Sequence, residues 1–226
     1  MHCGEASNYK RIDADPDMGF DEVYLGREAF TFSKSGNRPW RDCDNYQDMI
    51  NVYESCDGNP RFMYLLTYQN HGGYEQNDAS HDTIRIANDY GNYTDDINEY
   101  LTSVDASADA FLDLIRYFEN AERPVMVVML GDHPPAFVSS VFTDKGLSGE
   151  EQEFAKRAVP YYIWSNVDFD HTVFSPYVSM IDVLPLMLKS AEMPLTGYYK
   201  SIVELNAVVP VRTSTGMYMD STGTIG

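Results

Sequence analysis

Two stretches of this chain end an apolar run on residues able to do chemistry. In the first, Pro124-Val125-Met126-Val127-Val128-Met129-Leu130 leads into Gly131-Asp132-His133-Pro134-Pro135. Asp132 offers a hard oxygen and His133 an imidazole nitrogen, a mixed pair that suits Mn²⁺ or Zn²⁺ better than Ca²⁺. A plainer reading of the same residues is a polar turn in which His133 is only hydrogen-bonded. In the second, Arg61-Phe62-Met63-Tyr64-Leu65-Leu66-Thr67-Tyr68 leads into Gln69-Asn70-His71-Gly72-Gly73-Tyr74. An imidazole there can donate to a phosphate or sulfate oxygen, and glycines let an anion approach the backbone closely. Taken by itself, His71 also fits an ordinary loop histidine.

The elements that must position these residues follow from periodicity. The unbroken Val/Met/Leu run before Gly131 predicts a parallel strand covered on both faces, with Gly131 turning the backbone and Pro134 and Pro135 forbidding continuation. Phe62 to Tyr68 predicts a second strand, and Tyr46 to Cys56 a short helix. From Ile97 onwards, Tyr100, Leu101, Val104, Ala108, Phe111, Leu112, Ile115 and Phe118 recur at helical spacing, so a helix of about six turns is expected, with Glu99, Asp105, Asp109, Asp113 and Arg116 on its solvated face. That order, strand, long helix, strand, is the pattern of a right-handed crossover. A loop through Asp144, Gly146, Ser148 and Gly149 should follow, then a short polar helix and the apolar segment Val159 to Trp164. Ser139 and Ser140 are placed in a loop after the Asp-His pair. Ser179 with Asp182 three residues on reads as a helix cap, with Pro185 kinking that helix or marking its early turns. The tail from Arg212 reads as a hairpin or frayed end.

Composition bounds the function classes. With 43% hydrophobic residues in 226, the chain can bury a sizeable core, in one domain or two. Its net charge of −19 makes nucleic acid and an anionic bilayer poor partners, while favouring divalent cations in general. No run approaches the roughly 18 apolar residues of a membrane helix, and no signal peptide is recognisable. The three cysteines, Cys3, Cys43 and Cys56, cannot all pair. A Cys43–Cys56 bridge suits an oxidising compartment; otherwise the thiols are buried and free.

Taken together, Thr67-Tyr68-Gln69-Asn70-His71-Gly72-Gly73-Tyr74 and Gly131-Asp132-His133-Pro134-Pro135 resemble the lipoteichoic acid synthase type of phosphoglycerol transferase, in the sulfatase and alkaline phosphatase superfamily. His2, Asn8-Tyr9-Lys10-Arg11 and Met18-Gly19-Phe20-Asp21 resemble that family's histidine, aromatic-x-Arg and Gly-Phe-acid segment, with Tyr9 where tryptophan is common. Trp40-Arg41-Asp42, Pro160 to Asn166 and Ser179 to Pro185 are similar to later landmarks in the same order, so the resemblance spans nearly the whole chain.

The resemblance implies an alkaline phosphatase-like α/β/α sandwich with a mostly parallel sheet, lacking its N-terminal part. The family's nucleophile and an acidic metal ligand lie upstream of the histidine that His2 resembles, and no Cys/Ser-x-Pro-x-Arg signature occurs here. Residues 1–226 are therefore expected to be the C-terminal part of a catalytic domain that does not turn over substrate unaided. Asp132 and His133 are implied as ligands of one divalent ion, Mn²⁺ being favoured. His71 is implied as the catalytic donor to the phosphoryl group, with His2, Tyr9, Arg11 and His71 contacting substrate. The implied substrate is a glycerophosphate lipid or cell-envelope glycan, met at the extracytoplasmic face of a bacterial membrane. Membrane contact would come only through missing upstream segments, and the missing N-terminal part of the domain is itself an expected partner. A sulfatase or phosphodiesterase of the same superfamily, and an inactive remnant serving as a binding module, are the competing functions. His81 and His171 match no landmark and are expected at the surface.

Overall fold

The computed structural model describes residues 1–31, 41–55, 58–74, 81–147 and 149–226. Trp40, Cys56 and Ser148, and with them the Cys43–Cys56 pairing, lie outside the described residues. The chain divides into two compact units, residues 1–120 with 135–145 and residues 121–134 with 146–226.

The first unit is built on three helices, α1 (Arg11–Asp17), α2 (Asp42–Glu54) and α3 (Thr94–Glu119), and carries α4 (Val138–Asp144). The expected long helix is α3, with Asp95 and Asp96 in its first turn, where free backbone N–H groups favour negative charge. Ile97, Ala110, Leu114, Ile115 and Phe118 are buried. Tyr53 of α2 meets Phe118 edge-to-face at 5.1 Å between ring centroids. Near the start of α3, Tyr74, Ile97 and Phe137 form a buried cluster with Tyr100 and Val141 packed against it. Two parts of the helical reading need correction. Ala108 and Leu112 are exposed, whereas Glu99, expected in solvent, is buried. Periodicity ranks faces by hydrophobicity, but here loops cover a polar row: Asn98 accepts from the Ile86 N–H and Ser103 bonds the loop at Gln69. Ser139 and Ser140 lie in α4, not in a loop.

Extended chain in this unit gathers around His2, which makes parallel bridges to Leu25 and Leu66. The predicted Phe62–Tyr68 strand is thus an extended segment with one bridge.

The second unit holds β1 (Met126–Leu130), α5 (Gly149–Ala155), β2 (Tyr161–Ser165), α6 (Met180–Ser190), α7 (Gly197–Asn206) and the hairpin β3 (Val211–Arg212) with β4 (Tyr218–Met219). β1 is the strand expected before Gly131, but it pairs antiparallel with β2, Met126 opposite Ser165 and Leu130 opposite Tyr161. The parallel expectation fails for this ladder because an all-apolar strand reports burial on two faces, not the direction of its neighbour. Nor is the expected crossover partner found on β1, whose ladder among the described residues is with β2.

Ser179 is the N-cap residue of α6, as expected, with Asp182 in the first turn. Ser179 makes no side-chain cap; its hydroxyl accepts from the Arg212 N–H at 2.7 Å. Asp182, wholly buried, takes Asn206 Nδ2 at 2.8 Å and the Arg212 guanidinium. The pair therefore locks α6 to α7 and β3.

Candidate functional site

In the first unit, His2 and His71 are both brought against Tyr68. The His71 ring stacks on Tyr68 at 4.5 Å with 9° between planes, and His2 lies 6.1 Å from Tyr68 at 58°. The two histidines differ in environment. His71 is exposed, with Nδ1 3.3 Å from the Gly72 carbonyl oxygen. His2 is 5% exposed, with Nδ1 2.9 Å from the Leu66 carbonyl oxygen. Burial pushes the His2 pKa down, the Leu66 carbonyl works against that, and the nearby Arg11 charge lowers it further. A Cβ on Gly4 would sit 2.5 Å from His2 Nε2, so only glycine leaves room for the ring.

Arg11 and Tyr9 belong to a strained turn. Tyr9 and Lys10 both take left-handed backbone angles, φ 56° and 54°, which cost non-glycine residues about 1–2 kcal/mol each. The turn leaves Tyr9 86% exposed with the Arg11 guanidinium 4.8 Å over its ring, and Arg11 Nη1 3.4 Å from the Asn8 carbonyl. Strain of this kind collects at functional sites. After His71, Gly73 takes φ +112°, which a side chain would resist. His2, His71 and Arg11 thus supply an imidazole pair and a guanidinium in one compact unit, a set that suits an anion.

In the second unit, Asp132 and His133 leave the end of β1 together. Asp132 Oδ1 accepts from the His133 N–H at 2.8 Å, and Asp132 Oδ2 lies 3.5 Å from His133 Nε2. His133 Nδ1 is 3.1 Å from the Pro134 carbonyl oxygen. With the Nδ1 proton given to that carbonyl, Nε2 presents a lone pair, as a metal-bound imidazole must. Donors 3.5 Å apart, each bound at about 2.1 Å, subtend roughly 110° at an ion, near the tetrahedral angle. The spacing of the pair fits two ligand positions of a divalent ion; no group of three or more His, Cys, Asp or Glu converges among the described residues. Gly131 is not used for its backbone freedom: a Cβ there would meet Val159 at 3.1 Å and Pro160 at 3.2 Å, while its N–H donates to the Pro160 carbonyl at 2.9 Å.

The Sulfatase family profile matches residues 1–193. The chain belongs to the sulfatase family. A solved structure of Streptococcus pyogenes phosphoglycerol transferase GacH in complex with sn-glycerol-1-phosphate superposes with a TM-score of 0.76 at 17% identity, covering 95% of this chain and 55% of that one. The alkaline phosphatase-like α/β fold implied by the motifs is therefore the fold of this sulfatase-family chain. A Rhizobium meliloti protein named for cyclic beta-1,2-glucan modification is 28% identical over 116 residues, 47% of this chain and 18% of that protein. An uncharacterised Haemophilus influenzae protein is 28% identical over 87 residues, 38% of this chain and 16% of that protein. The chain thus spans about half the length of its solved neighbour and under a fifth of these curated relatives.

Tyr68, a motif residue to which the resemblance assigns no role, is the ring that both His2 and His71 approach. His71 three residues after Tyr68 was the available signal. His81 and His171 are exposed, as expected.

Proposed function

We propose that this chain is part of a metal-dependent phosphoglycerol transferase acting on a glycerophosphate lipid or glycan of the cell envelope. In this reading Asp132 and His133 are two ligands of one divalent ion, Mn²⁺ first among candidates. The carrying observation is the Asp132–His133 pair in a sulfatase-family chain, Oδ2 and Nε2 held 3.5 Å apart at the end of β1. Bound there, the ion supplies a Lewis acid for a phosphoryl oxygen. The chain's own residues orient the substrate: Arg11 grips the phosphate with its planar fork, His71 donates to a phosphoryl oxygen, and His2 and Tyr9 line the glycerophosphate side. Family membership and the glycerol-phosphate-bound neighbour support the substrate class. Among the described residues no helix is long and apolar enough to cross a membrane. The full-length protein is proposed to act at the extracytoplasmic membrane face, completed by the rest of its catalytic domain.

Two titrations test this. Calorimetry with Mn²⁺ should show binding by the chain that is abolished by Asp132→Ala and by His133→Ala. sn-Glycerol 1-phosphate, followed by NMR, should shift His71, and Arg11→Ala should remove that response. Mn²⁺ binding unaffected by either first-set substitution would overturn the metal assignment. A response to inorganic sulfate but not to sn-glycerol 1-phosphate would favour the sulfatase alternative.

A further inference from the structure

We infer that Gln69, Ser103 and Tyr74 form a buried brace that positions the His71 imidazole; this rests on reading His71 as the phosphate-facing group. Gln69 is 6% exposed and its amide is divided between two helices. Its Oε1 accepts from the backbone N–H of Asp42 at 2.7 Å, and its Nε2 donates to the Ser103 carbonyl at 3.0 Å. Asp42 is the first residue of α2, where N–H groups have no intrahelical acceptor, and the preceding Arg41 supplies no side-chain cap. Gln69 thus caps α2 from outside while holding α3. Ser103 closes the loop, its hydroxyl donating back to the Gln69 carbonyl at 3.3 Å. On the next residue, Asn70 Nδ2 donates to Ser107 Oγ at 3.0 Å, and the Tyr74 hydroxyl donates to the Asn70 carbonyl at 2.8 Å. The two residues before His71 are therefore tied to α2, α3 and Tyr74, and His71 N–H donates to the Tyr68 carbonyl at 3.1 Å. A one-turn loop so tied has little freedom to carry its exposed imidazole off the Tyr68 ring.

The composition of the brace argues for positioning over stability. Asp42 and Asn45 are 2% and 0% exposed, and among the described residues Asp42 Oδ1, both amide atoms of Asn45, and Asn70 Oδ1 find no hydrogen-bond partner. Unpartnered buried polar atoms cost folding free energy that an apolar layer would not. Keeping them beneath a histidine loop is the pattern of a site held in place at the expense of stability.

The test uses single hydroxyl deletions, Ser103→Ala and Tyr74→Phe, with Ser103→Thr as the variant that keeps the hydroxyl. Histidine ring protons are followed by NMR in the full chain without ligand, and Tyr68→Leu marks the His71 shift of an unstacked ring. Ser103→Ala and Tyr74→Phe should move His71 toward the Tyr68→Leu value, with Trp164 unmoved as the fold control and Ser103→Thr close to wild type. In the wild type, sn-glycerol 1-phosphate should bind about tenfold more tightly than to either deletion, the loss equivalent to one hydrogen bond of about 1.4 kcal/mol. His71 signals identical to wild type in both deletions overturn the brace. Should His71 move as expected while the wild type ignores the phosphate ligand, the brace stands and the functional reading falls.

Discussion

Replacing Gly4 by alanine probes whether His2 is a seated site residue. Gly4 is buried, and its backbone is not left-handed, so space alone decides the outcome. The new Cβ would stand 2.5 Å from His2 Nε2, 3.1 Å from Cε1 and 3.3 Å from Cδ2. The ring cannot simply swing away, because its Nδ1 is on the Leu66 carbonyl and its backbone bridges Leu25 and Leu66. Overpacking of this kind costs about 1–3 kcal/mol, or roughly 2–12 °C of melting temperature in a chain of this size. In a His2→Ala background the obstruction is gone, so Gly4→Ala should then cost within about 0.5 kcal/mol of nothing. Urea unfolding of the four chains gives the coupling. A second signature is the pH profile. Folding lowers the His2 pKa below 6.5, so the unfolded state binds the proton more tightly and His2 destabilises the fold as pH drops through that range. With the ring displaced into solvent by Gly4→Ala, this acid-side loss should shrink. An equal cost of Gly4→Ala with and without His2 would refute the steric argument, and with it the fixed seat proposed for this imidazole.

Three further outcomes are expected. Arg212→Ala strands the wholly buried Asp182 carboxylate with Asn206 as its remaining side-chain partner and should cost about 3–5 kcal/mol in urea unfolding, more than Asp182→Asn; the reverse order would contradict the buried-pair reading. Burial raises the Asp42 pKa, against Ser107, Thr67 and Gln69, which lower it; the fold therefore holds this proton more tightly than the unfolded chain, and the residue's contribution weakens as pH rises above the ordinary carboxyl range. Asp42→Asn should gain on the wild type in thermal melts as pH rises above about 4, and a pH-independent difference would refute it. Burial pushes the Cys3 thiol up to about 12, so in a Cys43→Ser/Cys56→Ser chain at neutral pH a thiol reagent should react only on denaturation; prompt labelling of the native chain would show the segment around Cys3 opening readily.

Local pattern made some of this architecture legible. α3 could be read from its apolar spacing, and its end from Pro124 a few residues on, because both depend on the helix's own residues. β1 could be read as an extended apolar run, but its antiparallel partner β2 lies some thirty residues downstream, and nothing in a two-sided apolar strand encodes direction. Glu99 shows the same limit: its burial comes from neighbouring chain that covers the polar row of α3, not from its position in the helical repeat. Ser179 and Asp182 match a capping signature, yet their partners, Asn206 and Arg212, are brought by a later helix and hairpin. At the candidate site, residue types were readable while their seating was not. His2 looked like a chain end until its bridges to Leu25 and Leu66 enclosed it, and the strain at Tyr9 and Lys10 has no signature in residues that ordinarily avoid such angles.

The three histidines share one device that separates their roles. His2, His71 and His133 each direct Nδ1 at a main-chain carbonyl, of Leu66, Gly72 and Pro134, at 2.9, 3.3 and 3.1 Å. A carbonyl accepts only, so each contact favours the neutral tautomer with its proton on Nδ1 and a lone pair on Nε2. At His133 that lone pair stands 3.5 Å from an Asp132 oxygen, as a ligand for a cation requires. At His2, burial first and then the Arg11 charge disfavour the protonated ring, and Nε2 packs against Gly4. His71 is exposed and stacked on the Tyr68 ring. For its Nε2 to donate to a phosphoryl oxygen, as proposed, while Nδ1 keeps its carbonyl, both nitrogens must carry a hydrogen. The same backbone contact is thus compatible with the roles proposed for His133 as a metal ligand and His71 as a phosphate donor, and burial sets His2 apart from both.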